Sequence, residues 1–357
     1  MTLISQHNKD EIVNGIKIVS LPKPHNRYIR MFFLTIYAFW LAIKQDAEVY
    51  HFHDPEFLFS GWLLQSLSGK PVIYDVHEYY AESIQNKGWL PEPPRKLIAK
   101  LFGRVEKMLA SRLSGIVTVN EDMGEKFKKY NNEVAVLPNY PLRELFDNVP
   151  LNSNLRRRYE DDEVLIYIGG LSQARGVTRS IRALSLVKSE VPKVKMLFLG
   201  SFANQEYKKD IIDSIEELGV KDNVEFLGKV SHEKVPQYLD IAQVGLFLLQ
   251  PVNERYDKGE PTKYFEYSAA GLPVVISDLP AKRRLVEENE NGLLVDPLDD
   301  EDISENILYL LNNESIRNEM GKNGRRAFLN KYNWEVVDDR LVDLYKKISE
   351  DTCSRPF

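Results

Sequence analysis

Glu260, Lys263 and Glu266 put two carboxylates and an ammonium about one helical turn apart in the stretch GEPTKYFEYSAAGLPVVIS. The end of that stretch, LPVVIS, is a β-branched apolar run of the kind that forms a strand buried on both faces. Pro261 stands near the start of the amphipathic segment before it. A second group follows the apolar run LIYI: Gly169, Gly170, Arg175 and Gly176, then a helical pattern. Glycines let the backbone approach a ligand, a helix start offers unpaired N–H groups to an anion, and Arg175 adds a fixed cation. The arrangement suits a diphosphate, although it is neither the G-x-G-x-x-G fingerprint nor a P-loop. A glycine turn closing a βα unit has the same appearance. A third group comes from two other strand ends, His53-Asp54-Pro55-Glu56 after YHF and His77-Glu78 after VIYDV. With His51, three of the six histidines cluster there. Two histidines at strand ends, each followed by a carboxylate, favour a site over a structural role. A zinc site is conceivable, but neither H-E-x-x-H nor a cysteine pair is present, and no metal is expected.

These residues need elements to hold them. Apolar strand-like runs alternate with helical patterns throughout, the signature of parallel α/β units. The first half offers GIKIVSL, AEVYHFH, PVIYDVH, GIVTVN and EVAVLPN; the second offers EVLIYIGG, VKMLFLG, NVEFLG, VGLFLL, PVVISD and NGLLVDP. The Pro- and Asn-rich stretch PNYPLRELFDNVPLNSN places a domain boundary at residue 145, giving domains 1–145 and 146–357, with the C-terminal helices in the second. At 357 residues two domains are the natural expectation. Open α/β sheets bind ligands beyond the carboxyl ends of their strands, so a cleft between two such domains is where chemistry belongs.

The bulk properties exclude several classes. A net charge of -6 argues against a general nucleic-acid binder. The lone cysteine, Cys353, rules out an internal disulfide and fits a reducing, cytoplasmic setting. The N-terminal stretch has no apolar core of signal-peptide length. The longest apolar run, Met31 to Ile43, is too short to span a bilayer. It follows His25, Arg27 and Arg30, so it reads either as a buried core helix or as a helix lying on a membrane surface. The stretch carrying Arg95, Lys96, Lys100, Arg104, Lys107 and Arg112 adds a second basic helix, which brings contact with anionic headgroups on the inner face of a membrane into consideration.

The segments YHFHDPEFLFSGWLL, KPVIYDVHEYYAES, YIGGLSQARGV and PTKYFEYSAAGLPVVISD, in this order and spacing, resemble the family-4 type of retaining glycosyltransferases with the GT-B fold. The likeness runs from about residue 1 to about residue 345. It implies two Rossmann-like domains facing a cleft. It also implies transfer of a sugar, with retention, from a nucleotide-sugar donor to a glycan or lipid-linked acceptor. Glu266 matches the glutamate that accepts hydrogen bonds from the ribose hydroxyls. The backbone of Glu260, Pro261 and Thr262 matches the segment lying against the diphosphate and sugar, with Glu260 a candidate catalytic group. Arg175 and the Gly169–Gly170 turn match the diphosphate site, and Gly228, Lys229 and Val230 the segment at the base. His77 matches the histidine near the transferred sugar, with His53, Asp54 and Glu78 on the acceptor side. No cofactor is implied, because protein cations and helix dipoles take the electrostatic role of a metal.

Three departures stand out. The first glutamate of the E-x₇-E pattern is replaced by Lys258, with Glu260 two residues late. Gly170 occupies the position where an arginine often follows the first glycine. Lys263 can supply the lacking cation if its side chain turns inward; otherwise it is a solvated helix residue. The chain also opens on what resembles the family's second strand, so the first strand–helix unit is expected to be lacking, with unpaired edges beside the gap. Two other readings fit the same residues: a nucleotide-sugar-binding pseudoenzyme or subunit, and a GT-B nucleotide-sugar epimerase.

Overall fold

The apolar runs form strands because most of their side chains must leave water, and their helical neighbours cover them. A computed structural model describes residues 1–26, 29–85, 91–150, 152–252 and 261–353, which divide into two compact units. Unit 1 comprises Met1–Pro138 and the segment from Val337; unit 2 is Asn139–Val336.

Unit 1 contains two separate sheets. One orders as β1-β3-β2, with β1 (Thr2–Gln6) parallel to β3 (Ile16–Leu21) and β2 (Glu11–Val13) antiparallel to it. The other is a parallel sheet β4-β5-β6-β7, formed by β4 (Tyr50–Phe52), β5 (Val72–Val76), β6 (Gly115–Thr118) and β7 (Val134–Val136). β1 is outermost in one sheet and β4 in the other. Every residue of β5 is buried, and Tyr74 stacks on Phe52 within a core that includes Leu64, Ile116 and Phe127. Ile4 of β1 packs against the same core.

The helix Asp338–Cys353 closes this unit. Leu344 and Ile348 are buried, Arg340 Nη1 donates to the Val136 carbonyl at 3.1 Å, and Lys347 pairs with Glu133 at 2.8 Å. The partition therefore differs from the sequence expectation in two respects. Residue 145 falls inside unit 2, and the last helix, Asp338–Cys353, belongs with unit 1, whose sheet ends at Val136. Apolar spacing marks that helix as amphipathic but does not say which sheet it covers.

Unit 2 is built on a six-stranded parallel sheet ordered β10-β9-β8-β11-β12-β13. Its strands are β8 (Glu163–Ile168), β9 (Val194–Leu199), β10 (Val224–Gly228), β11 (Val244–Phe247), β12 (Val274–Ser277) and β13 (Gly292–Val295). Renumbered within the unit, the order is 3-2-1-4-5-6, the doubly wound Rossmann arrangement. The strand order reverses between β8 and β11, and ligands bind at that switch point, beyond the carboxyl ends of the strands. β8 is followed by Gly169 and β12 is preceded by the helix Thr262–Ala270, so two of the groups singled out above flank the switch point.

Candidate active site

In unit 2 the site starts from the turn after β8. Gly169 has φ +125°, a conformation that side chains rarely adopt. A β-carbon at this position would run into Lys263 Cε and stand 2.8 Å from Lys263 Nζ and 3.4 Å from Arg175 Nη1. The glycine thus leaves room for two cations from different elements. Lys263 Nζ also lies 5.4 Å over the ring of Phe247, the last residue of β11. The lysine has turned inward, to the side where the arginine is lacking at Gly170. Burial pushes its ammonium down to about 8, helped by the positive charge of Arg175 and opposed by Glu266.

Two helix starts complete the cation cluster. The helix Val177–Glu190 begins directly after Arg175-Gly176, and Thr262–Ala270 begins at Pro261. Neither first turn carries an acidic residue, and among the described residues neither has a side-chain cap, so their positive dipole ends face outward for an anion. Glu266, one turn further along the second helix, is half-buried, with His232 Nε2 3.5 Å from its Oε1. Burial pushes its carboxyl up, and the charges of His232 and Lys263 partly offset that. Gly228 ends β10 with φ +68°, and Val230 packs against the edge of the core. Pro261 is buried and Thr262 exposed. Lys258 and Glu260 lie outside the described residues.

In unit 1 the strand ends gather four polar side chains. Asp75 in β5 is 8 % exposed, and its Oδ2 lies 3.0 Å from His53 Nδ1 and 3.4 Å from both His51 Nε2 and His77 Nε2. His53 Nδ1 and His77 Nε2 are 3.1 Å apart, and the rings of His51 and His53 stack with centroids 5.1 Å apart. His51 Nδ1 is hydrogen-bonded to Tyr345 Oη at 2.8 Å. Burial alone would push the Asp75 carboxyl up, but the three imidazoles and the charge on His77 outweigh it, holding it well below the usual carboxylate range. Its hydrogen bond in turn raises His77 against the effect of burial, aided by the negative charge of Asp75, Asp54 and Glu78. Asp54 is exposed and precedes the turn Pro55–Phe57; Glu78 accepts from Ser83 Oγ at 3.2 Å.

The structure brings Gly169, Gly170, Arg175, Lys263 and Glu266 near one another in unit 2, and His53 and His77 together in unit 1 with Asp54 and Glu78 near them. Asp75, Tyr345 and His232 were not singled out from sequence. The signal for Asp75 was available: a carboxylate inside VIYDV, a run otherwise fit for burial on both faces, demands partners. Nothing local marks Tyr345, which reaches His51 from 294 residues away.

Unit 2 is a doubly wound α/β domain with cations at its switch point, and comparison with known proteins gives the family. Residues 2–140 match the family described as Glycosyltransferase Family 4, and residues 151–327 match Glycosyl transferases group 1. The chain belongs to the family-4-type GT-B glycosyltransferases, and it is a glycosyltransferase. It is 24% identical over 359 residues to an uncharacterized glycosyltransferase of Methanocaldococcus jannaschii, covering 94% of this chain and 86% of that protein. It is also 24% identical over 259 residues to a capsular polysaccharide biosynthesis glycosyltransferase of Staphylococcus aureus, covering 70% and 65%. Against a spore coat protein of Bacillus subtilis it spans only 49% of the relative's length. Among solved structures, Anabaena HepE in complex with UDP-glucose superposes with a TM-score of 0.71 at 17% identity, over 93% of this chain and 86% of that one.

Proposed function

We propose that this glycosyltransferase moves a sugar, with retention of anomeric configuration, from a nucleotide-sugar donor to a glycan or lipid-linked acceptor in polysaccharide or glycoconjugate biosynthesis. The observation that carries the proposal is the meeting of Lys263 and Arg175 over Gly169 at the switch point of unit 2. Two cations and two uncapped helix starts offset the charge of a diphosphate and the further charge that grows on it as the sugar departs. No metal is needed at that place. Glu266 accepts hydrogen bonds from the ribose hydroxyls, and Gly228 to Val230 lie along the base. The UDP-glucose complex of the Anabaena relative supports a nucleotide-sugar donor, and the capsular relative supports a glycan product.

On this reading unit 1 serves the acceptor. His77, fixed by Asp75, orients hydroxyls of the transferred sugar or supports the oxocarbenium-like centre, and His53, Asp54 and Glu78 border the acceptor. Among the described residues no helix is long and apolar enough to cross a membrane. Peripheral attachment is supported by what two helical segments leave exposed. Phe32, Phe33, Ile36 and Trp40 in one, and Leu97, Leu101 and Met108 in the other, project into solvent. Lys96, Lys100 and Lys107 line a cavity of about 540 Å³ on the second of them, together with Lys126. Apolar contact with added positive charge is what holds a helix on an anionic surface.

The test is a thermal-shift panel with UDP, GDP and ADP and their sugar conjugates. One base series should stabilise the protein by linkage of binding to folding, and turnover of that donor with an acceptor should follow. A cooperatively melting protein that no donor shifts would overturn the reading. Stabilisation without transfer would identify a binding subunit, and donor conversion without any acceptor an epimerase.

A further inference from the structure

The histidine cluster of unit 1 contains more converging nitrogens than its hydrogen bonds use. His51 and His53 are two apart on one strand and its end, and Asp75 and His77 two apart on the neighbouring strand and its end. Alternate residues of a strand share a face, and with His51 paired to Ile73 the four side chains stagger along the two strands, Asp75 lying between His51 and His77. The ring nitrogens of all three histidines converge on one oxygen, Oδ2 of Asp75, at 3.0 to 3.4 Å. The other oxygen, Oδ1, is buried without a hydrogen-bond partner, and so is His51 Nε2. A carboxylate arranged only to accept hydrogen bonds would spread its donors over both oxygens. His53 Nδ1 and His77 Nε2, at 3.1 Å, can share only one proton between them.

A cation resolves this crowding. With metal–ligand bonds of about 2.0–2.1 Å, the edge of a coordination tetrahedron is about 3.4 Å. Two contacts of Asp75 Oδ2, with His53 Nδ1 and His51 Nε2, already measure 3.0 and 3.4 Å. One ligand atom each from His51, His53 and Asp75 can be taken with all three within 4.8 Å of one another. Tyr345 engages His51 at Nδ1, which leaves Nε2 for a ligand and fixes the ring, as an outer-sphere partner does for a metal-bound histidine. An imidazole-rich set with one carboxylate selects zinc-class ions over magnesium or calcium.

We propose that unit 1 binds one divalent transition-metal ion, of the zinc class, through His51 Nε2, His53 Nδ1 and Asp75 Oδ2, with a fourth position open to water. The pattern escapes a motif search because the ligands come as H-x-H and a lone Asp from two strands. The inference does not rest on the transferase reading, whose donor cations all belong to unit 2. A bound ion also takes Asp75 Oδ2 and His53 Nδ1 from their contacts with His77, so metal-loaded and metal-free protein differ in turnover.

The probe is Co²⁺, added to chelator-treated, tag-free full-length protein carrying Cys353→Ser to remove the thiol. One Co²⁺ per chain with the visible spectrum of four-coordinate cobalt, displaced by Zn²⁺, is expected. His53 is 59% exposed in its side chain, so His53→Ala keeps the fold. It should weaken binding by more than the roughly tenfold cost of losing an outer-sphere partner, with metal-free melting unchanged. No binding, a six-coordinate spectrum, or full affinity in His53→Ala would overturn the proposal.

Discussion

The side chain of Lys263 lies across Gly169 and fills the space a β-carbon there would need, which brings a helix and the turn after β8 together around one positive charge. Gly169→Ala should therefore act twice. The backbone at φ +125° costs about 1–3 kcal/mol for any side chain, and the methyl displaces the lysine. Chemical denaturation should show the stability loss, and nucleotide titration a weaker donor complex. Wild-type donor affinity in this variant would separate Lys263 from the diphosphate.

On the proposed function, Lys263 should give the donor site a pH dependence. Its folded value, about 8, lies below that of the unfolded chain. Between the two values the unfolded chain holds more protons, so folding stability rises with pH there. Donor binding runs the other way, since only the protonated form attracts the diphosphate, and affinity should fall as pH rises through about 8. Lys263→Arg keeps its charge and should flatten that profile in a titration series with the nucleoside diphosphate. A wild-type curve with no decline would remove the lysine from the site.

Glu266 and His77 should separate binding from turnover. Glu266→Ala loses a charged acceptor, a change worth about 1.5–3 kcal/mol, or roughly tenfold to a hundredfold in donor Kd. His77→Ala, measured in metal-free protein, should lower kcat by roughly a hundredfold while donor affinity stays close to wild type, because its contacts strengthen at the transition state. A loss in His77→Ala confined to donor affinity would contradict its role.

Flotation with liposomes tests the membrane surface. The protein should rise with vesicles containing anionic lipid and stay behind with neutral ones. The pair Phe33→Ser and Trp40→Ser, both at exposed positions, should abolish flotation without altering the melt. Failure of the wild-type protein to float on anionic vesicles would leave the exposed aromatics without this role.

Much of this architecture was legible because each apolar run had one possible fate. All eleven expected strands form, since a β-branched run flanked by helical patterns must bury both faces. β1 and β2 were not anticipated as strands of their own; their residues are mostly exposed and lack an apolar face. On the candidate site, the positions of Gly169, Gly170 and Arg175 were readable because they follow directly on β8. The inward turn of Lys263 was left open, since a helix residue's burial depends on what packs beside it, here Phe247 and Gly169. Asp75 was hidden by its own strand, and Tyr345 by distance along the chain.

The placement of the last helix has a consequence for how the protein is made. Unit 2 is one continuous stretch, whereas unit 1 begins and ends outside it. During synthesis unit 2 has all its residues before unit 1 does. The first unit to leave the ribosome is then the last to be completed, its sheet waiting for Leu344 and Ile348, and His51 for Tyr345. A chain stopped near residue 336 would carry a whole unit 2 and a half-covered unit 1, a species with exposed core surface that quality control can recognise.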